Sequence, residues 1–231
     1  YERVSNPQIS PNGEKAIYTR SYVDQLNDRF SGNLWVMNSN GSKNRQLAEG
    51  SGATWSPDGT RIALTKSAGE DGTEVFVRWM DAEGATSQIT HFEHTPKNLQ
   101  WSPDGKWIAF TANIPGGSKW GVKLPPKPKG AKWTAEPRII EIRNYRRDRV
   151  GFLTGYDHLF IVPSNGGTAT QITEGEGWGI GGGGFDWTPD GNHIVFGGYT
   201  APRNNNIPDQ SFIYKVNVKS TEVTKLTNQI G

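Results

Sequence analysis

The sequence predicts an all-β protein, a β-propeller in which four four-stranded blades are visible. Three observations predict it. A phrase Ser-Pro-(Asn/Asp)-Gly, with Thr once in place of Ser, opens at Ser10, Ser56, Ser102 and Thr188. The first two intervals are 46 residues each and the third is 86, the same period plus an insertion of 40. A repeat of this length cannot bury its own apolar face and must stack on its neighbours, which is the signature of a propeller or a solenoid. Finally, 29 Gly and 14 Pro in 231 residues, with only 33% hydrophobic, suit short strands joined by tight turns better than a helical bundle.

The elements of one unit follow from aligning the four copies on their Gly. A large apolar residue precedes the phrase, namely Ile9, Trp55, Trp101 and Trp187, and ends the first strand. Pro at the first central position sets φ for the turn, and Gly takes positive φ without steric cost. The second strand carries Ala16 and Tyr18, Ile62 and Leu64, Ile108 and Phe110, or Ile194 and Phe196. The third is Leu34–Met37, Val75–Val77, Leu159–Val162 or Phe212–Val216, followed by a turn at Asn40-Gly41, Glu83-Gly84, Gly166-Gly167 or Ser220-Thr221. A short fourth strand ends each unit: Arg45-Gln46-Leu47, Ser87-Gln88-Ile89-Thr90, Thr170-Gln171-Ile172-Thr173, Thr224-Lys225-Leu226-Thr227. Four strands per unit make a propeller blade. The blades then run over about 1–50, 51–93, 94–175 and 183–231.

The third blade is interrupted between its second and third strands by the insertion, 115–156. Its first half, with Pro125, Pro126 and Pro128, reads as a surface loop. Its second half, Arg138–Ile142 followed by Tyr145–Arg149, reads as an extended segment with a basic cluster. A solvated face is the ordinary meaning of such a cluster, yet recognition concentrates on long loops of a rigid scaffold. Of the nine Trp, three recur at one repeat position and belong to the inter-blade core. Trp120, Trp133, Tyr145, Arg146 and Arg149 of the insertion are the candidate contacts for a substrate or partner.

Other chemistry is sparse. With 25 Lys and Arg against 23 Asp and Glu, net charge gives no reason to expect nucleic acid, and no apolar run approaches the length that spans a bilayer. Without cysteine there is neither a disulfide framework nor a thiolate metal site. Asp58, Asp104 and Asp190 read as turn carboxylates, and His91 and His94 lack the spacing of a helical zinc pair. Neither cofactor, metal nor catalytic residue is expected. Gly177–Gly182 matches G-x-G-x-x-G, but a strand and not a helix follows it, so it reads as an inter-blade loop. Asn40-Gly41-Ser42 matches a glycosylation acceptor and reads first as a hairpin turn. No G-x-S-x-G nucleophile elbow occurs.

The phrase W-S-P-D-G-x-x-I-A-F at Trp101–Phe110, and its variant at Trp55–Leu64, resembles the blade signature shared by TolB-type propellers and the propellers of the prolyl oligopeptidase family of serine peptidases. The stretch from Trp133 through Pro137-Arg138, Tyr145-Arg146 and Gly151 to His158–Val162, Gly166-Gly167 and Gln171-Ile172-Thr173 is similar to the acylaminoacyl- and dipeptidyl-peptidase members. The resemblance implies an N-terminal part of a seven- or eight-bladed propeller, a C-terminal α/β-hydrolase domain in the parent protein as partner, and short peptides as substrates that the propeller gates. It carries over no substrate-binding residue, since no adjacent Glu-Glu pair is present. An incomplete ring exposes two blade faces, so self-association is also expected. A TolB-like or sensor propeller that binds a protein partner is the alternative reading, and a closed four-bladed ring a further one. A periplasmic or secreted setting is favoured over the cytoplasm.

Overall fold

Each Ser-Pro-x-Gly phrase folds as a turn organised by its hydroxyl. Ser56 Oγ donates to Asp58 (2.6 Å) and accepts from the backbone N–H of Arg61 (2.9 Å). Ser102 does the same with Asp104 and Trp107, and Thr188 with Asp190 and His193. The glycines close these turns at φ of +67 to +75°, a conformation that side chains rarely adopt. Asn40 likewise caps its own turn by accepting from the N–H of Ser42.

The computed structural model describes residues 2–26, 28–81, 84–115, 126–134, 146–147, 151–152, 155–175, 180, 184–198 and 211–228. Blade 1 consists of β1 (Glu2–Ile9), β2 (Lys15–Asp24), β3 (Arg29–Asn38) and β4 (Arg45–Glu49). Blade 2 consists of β5 (Ser51–Trp55), β6 (Arg61–Ser67), β7 (Thr73–Trp79) and β8 (Thr86–Gln88). Blade 3 consists of β9 (Lys97–Trp101), β10 (Trp107–Ile114), β13 (Tyr156–Pro163) and β14 (Thr170–Gln171). Between β10 and β13, β11 (Arg146–Arg147) and β12 (Gly151–Phe152) form a small ladder. Blade 4 consists of β15 (Phe185–Trp187), β16 (His193–Gly198), β17 (Phe212–Asn217) and β18 (Val223–Lys225). Every blade is an antiparallel meander of consecutive strands, apart from the insertion in blade 3.

The register explains the repeat. Trp55 pairs with Ile62, Trp101 with Ile108 and Trp187 with Ile194, and all six are buried. They form the backward face of each blade, packed on the forward face of the one before. Ile17, Leu34, Val36 and Leu47 of blade 1 meet Trp55, Ile62 and Leu64 of blade 2. Ala63, Val75 and Val77 of blade 2 meet Trp101, Ile108, Phe110 and Phe160 of blade 3. Ala109, Leu159 and Ile161 of blade 3 meet Trp187, Ile194, Phe196 and Tyr214 of blade 4, with Ile180 closing that core.

Blade 1 departs from the alignment in its burial, for a plain reason. Ile9 pairs with Ala16 as the tryptophans pair with isoleucine, but Ile9 is 62% exposed and Ala16 and Tyr18 are half-buried. Among the described residues, no blade lies behind this face. Tyr18 stacks on Trp35 there (6.4 Å) and Arg20 lies over the same indole (4.8 Å). At the other end, Ile213 on the forward face of blade 4 is 41% exposed, while Tyr214 and Val216 on its backward face are buried. The four sheets form an open arc, which overturns the reading of a closed four-bladed ring.

The common ending of the fourth strand also acquires a cause. The hydroxyls of Thr90, Thr173 and Thr227 accept from the N–H of Val75, Leu159 and Ile213, extending the outer ladder by a side-chain rung. The glutamines two residues earlier, Gln88 and Gln171, donate to the carbonyls of Thr90 and Thr173. In blade 2 the Thr90 hydroxyl also donates to buried Glu74, whose other oxygen accepts from the N–H of Phe92 (2.8 Å). In blade 3 the residue matching Glu74 is His158, buried beside Thr173.

Candidate functional site

Two places on this scaffold gather polar groups: the inner strands where blades meet, and the rim that carries the Ser-Pro-x-Gly turns. Along the inner strands, the residue three before each anchor is left-handed, with φ of +51° at Asn6, +62° at Gly52, +55° at Asn98 and +70° at Gly184. In the first three blades it marks a register shift, a bulge that re-aims the next side chains. Gln8 thereby reaches forward to the carbonyl of Ala53 (2.9 Å), and Gln100 to that of Phe185 (2.6 Å). The indoles answer backward: Trp55 to the carbonyl of Gln8 (3.4 Å), Trp101 to Thr54 (3.1 Å) and Trp187 to Gln100 (3.4 Å). Each seam is thus held by buried apolar faces and by hydrogen bonds across inner strands.

On the turn rim the seams differ. Between blades 2 and 3, the Arg61 guanidinium lies over Trp101 (4.9 Å) and donates to the Gly105 carbonyl (3.2 Å) and to Asn165 (3.3 Å). It clamps two blades beside a cleft of about 380 Å³. Between blades 1 and 2 the matching residue is Lys15, two positions after its turn glycine as Arg61 is after Gly59. Here the cleft is larger, about 470 Å³, with Val36, Leu47, Trp79 and Met80 as its apolar part. Lys43, Arg45 and Arg78 also line it, and Asp81 is its one carboxylate among the described residues.

Ionisation on the rim follows from the turns. The hydroxyl of Ser56 holds the Asp58 carboxyl below the ordinary carboxylate range, helped by the N–H of Thr60. Ser102 does so for Asp104, and Thr188 depresses Asp190 most strongly. These carboxylates serve the turns. His158 is the opposite case, since burial pushes its imidazole down and keeps it neutral. His91 is exposed near Asp71, and His193 meets the side-chain amide of Asn217. Among the described residues, no cluster of His, Asp and Glu is arranged to hold a metal ion, and no helix is long and apolar enough to cross a membrane.

Of the insertion residues singled out from sequence, Trp133 is half exposed in the segment 126–134, which has neither strand nor helix. Arg146 sits in β11 opposite Phe152. Trp120, Tyr145 and Arg149 lie outside the described residues, as do the strand expected over 138–142 and most of the Gly177–Gly182 run. The insertion leaves the blade cleanly: Ile114 pairs with Tyr156, and a Cβ on Gly155 (φ +70°) would sit 1.8 Å from the Ile114 carbonyl oxygen. The seam bonds of Gln8 and Gln100, the Arg61 clamp and the Lys15 cleft were not read from sequence. The fixed Asn or Gly three residues before each anchor was the available signal for the first of these.

No family model matches the chain. It is similar to the uncharacterized peptidase YuxL of Bacillus subtilis, 26% identical over 199 residues, which is 84% of this chain and 29% of that protein. It is also similar to dipeptidyl-peptidase 5 of Porphyromonas gingivalis, 29% identical over 210 residues, again 84% of this chain and 29% of the relative. The chain thus spans under a third of the length of these curated relatives. Among solved structures, an acylaminoacyl peptidase of Pyrococcus horikoshii matches with a TM-score of 0.71 at 14% identity, over 99% of this chain and 33% of that one. A TolB of Agrobacterium tumefaciens matches with 0.53 at 15% identity, over 97% and 80%. The structural likenesses establish the propeller fold. Together with the peptidase relatives they bear out the resemblance to the N-terminal propellers of prolyl oligopeptidase-family peptidases.

Proposed function

We propose, from the chain's likeness to the propellers of prolyl oligopeptidase-family peptidases, that it is the non-catalytic propeller segment of a serine exopeptidase. Its task is to gate and orient short peptides for an α/β-hydrolase domain elsewhere in the parent polypeptide. The observation that carries this reading is the open arc: three sealed seams end in two exposed blade faces, with Ile9 on one and Ile213 on the other, that further blades of the parent polypeptide would cover. A completed ring admits an extended peptide along its axis and excludes a folded protein by size. On this reading the insertion, with Trp120, Trp133, Tyr145, Arg146 and Arg149, lines the chamber or touches the hydrolase domain.

The test compares the isolated chain with the full-length gene product on chromogenic dipeptidyl and acylaminoacyl substrates, a disordered polypeptide and a compact folded protein. The full-length protein is expected to cleave the small substrates and spare the folded one, and the isolated chain to cleave nothing. Turnover by the isolated chain that survives repurification, or a full-length product inert to a serine-hydrolase affinity label, sinks the proposal.

A further inference from the structure

The cleft between blades 1 and 2 is built differently from its counterpart one seam along, and the difference points to a ligand. In the second seam the Arg61 guanidinium occupies the junction and finds its acceptors in the facing blade. In the first seam Lys15 takes that position, while the residues matching Ser164 and Asn165 are Met80 and Asp81. The clamp is missing and a cavity of about 470 Å³ remains, within the range of small-molecule sites.

The charge in this cavity is lopsided. Among the described residues, Lys15, Lys43, Arg45 and Arg78 share the cleft with one carboxylate, Asp81, which accepts from the N–H of Gly84 (2.8 Å). No ion pair among the described residues engages any of the four cations. Arg78 donates through one terminal nitrogen to Thr86 (2.9 Å), but its Nε is shielded from solvent and has no acceptor among the described residues. A donor nitrogen shielded from solvent without an acceptor is costly to leave alone, and a positive group gains from an anion placed nearby. Like charges lining one cleft raise the local concentration of anions. The apolar part of the lining, Val36, Leu47, Trp79 and Met80, offers contact to a hydrocarbon body.

We propose that this cleft binds a small organic anion, a carboxylate or phosphate carried on an aryl or alkyl group. The site stands independently of the peptidase reading, because it needs only the seam between blades 1 and 2. Lys43 and Arg45 at its exposed side attract the anionic group, and Lys15 and Arg78 flank it deeper in the seam.

Phenyl phosphate, phenylacetate and the neutral phenylacetamide are titrated into the ¹⁵N-labelled chain while the side-chain indole resonance of Trp79 is followed. The two anions are expected to shift it saturably and the amide to leave it in place. K43Q/R45Q, at exposed positions on the cleft, weakens binding about tenfold. K106Q in the next seam's cleft leaves binding unchanged. Raised ionic strength weakens it as screening requires. Saturation by phenyl phosphate alone would assign the site to phosphorylated compounds, and by both anions to organic acids at large. An equal response to the amide, no saturable shift with either anion, or the same loss in K106Q as in K43Q/R45Q overturns the proposal.

Discussion

Trp101 and Ile9 occupy one repeat position with opposite surroundings, so replacing each by alanine isolates what a seam contributes. Trp101 is 7% exposed, donates to the Thr54 carbonyl and carries Arg61 on its ring. Truncation to alanine returns roughly 150–200 Å² of apolar surface to water, about 4–5 kcal/mol at about 25 cal/mol per Å². Loss of the indole donor adds about 1 kcal/mol. The sum, about 5–6 kcal/mol, lies just above the roughly 3–5 kcal/mol usual for Trp→Ala in a core and is a large part of the roughly 5–15 kcal/mol that stabilises a domain. Trp101→Phe keeps most of the area and is expected to cost about 1–2 kcal/mol. Ile9→Ala removes a side chain already 62% exposed, at below about 0.5 kcal/mol. Urea unfolding followed by far-UV circular dichroism, with a common m-value, measures all three. Ile9→Ala costing as much as Trp101→Phe, or Trp101→Ala costing under about 2 kcal/mol, would refute a stabilising role for the seam.

Further expectations follow from the same contacts. Thr90→Val leaves Glu74 short of a donor and Val75 N–H without an acceptor, costing about 2–4 kcal/mol in urea unfolding, whereas Thr227→Val at the half-exposed outer edge costs under about 1 kcal/mol. Because burial lowers the folded-state pKa of His158, the unfolded chain takes up the proton first. Stability is therefore full above the unfolded value of about 6.5 and declines as pH falls below it, and a pH series of melting temperatures should show His158→Gln flattening that decline. Asp58, Asp104 and Asp190 have lowered folded pKa values, so their contribution is present above the unfolded value of about 3.9 and is lost as pH falls through the folded one. Asp104→Asn should shrink the acid-side loss. Light scattering of the isolated chain should show concentration-dependent association that Ile213→Lys reduces, since Ile213 lies on the open face of blade 4.

The architecture was legible because the turn demands it: the hydroxyl, the Pro, the carboxylate and the left-handed Gly each answer one need of the backbone, so they recur visibly at Ser56 and Ser102. The tryptophans were legible for the same reason, each filling the equivalent place in its own seam. What alignment cannot supply is position in the arc. Tyr18 matches Leu64 and Phe110 in sequence, yet it is half-buried where they are sealed, because burial depends on whether a blade lies behind. The turn-rim clefts were illegible for a related reason. Lys15, Arg61, Trp107 and His193 hold one repeat position with four different side chains, and only their three-dimensional neighbours separate the clamp at Arg61 from the cleft at Lys15.

Because each sheet is assembled from successive strands, its pairings are local along the chain, and a ribosome can release a finished module before the following one has been made. The exception is blade 3, whose central hairpin must wait for Tyr156 to find Ile114 across about forty intervening residues. Loop closure of that length adds only about 1 kcal/mol over a loop a quarter as long. The order of synthesis therefore favours blades 1 and 2 as a preformed template, against which the later Trp101 and Phe160 have a surface to settle on.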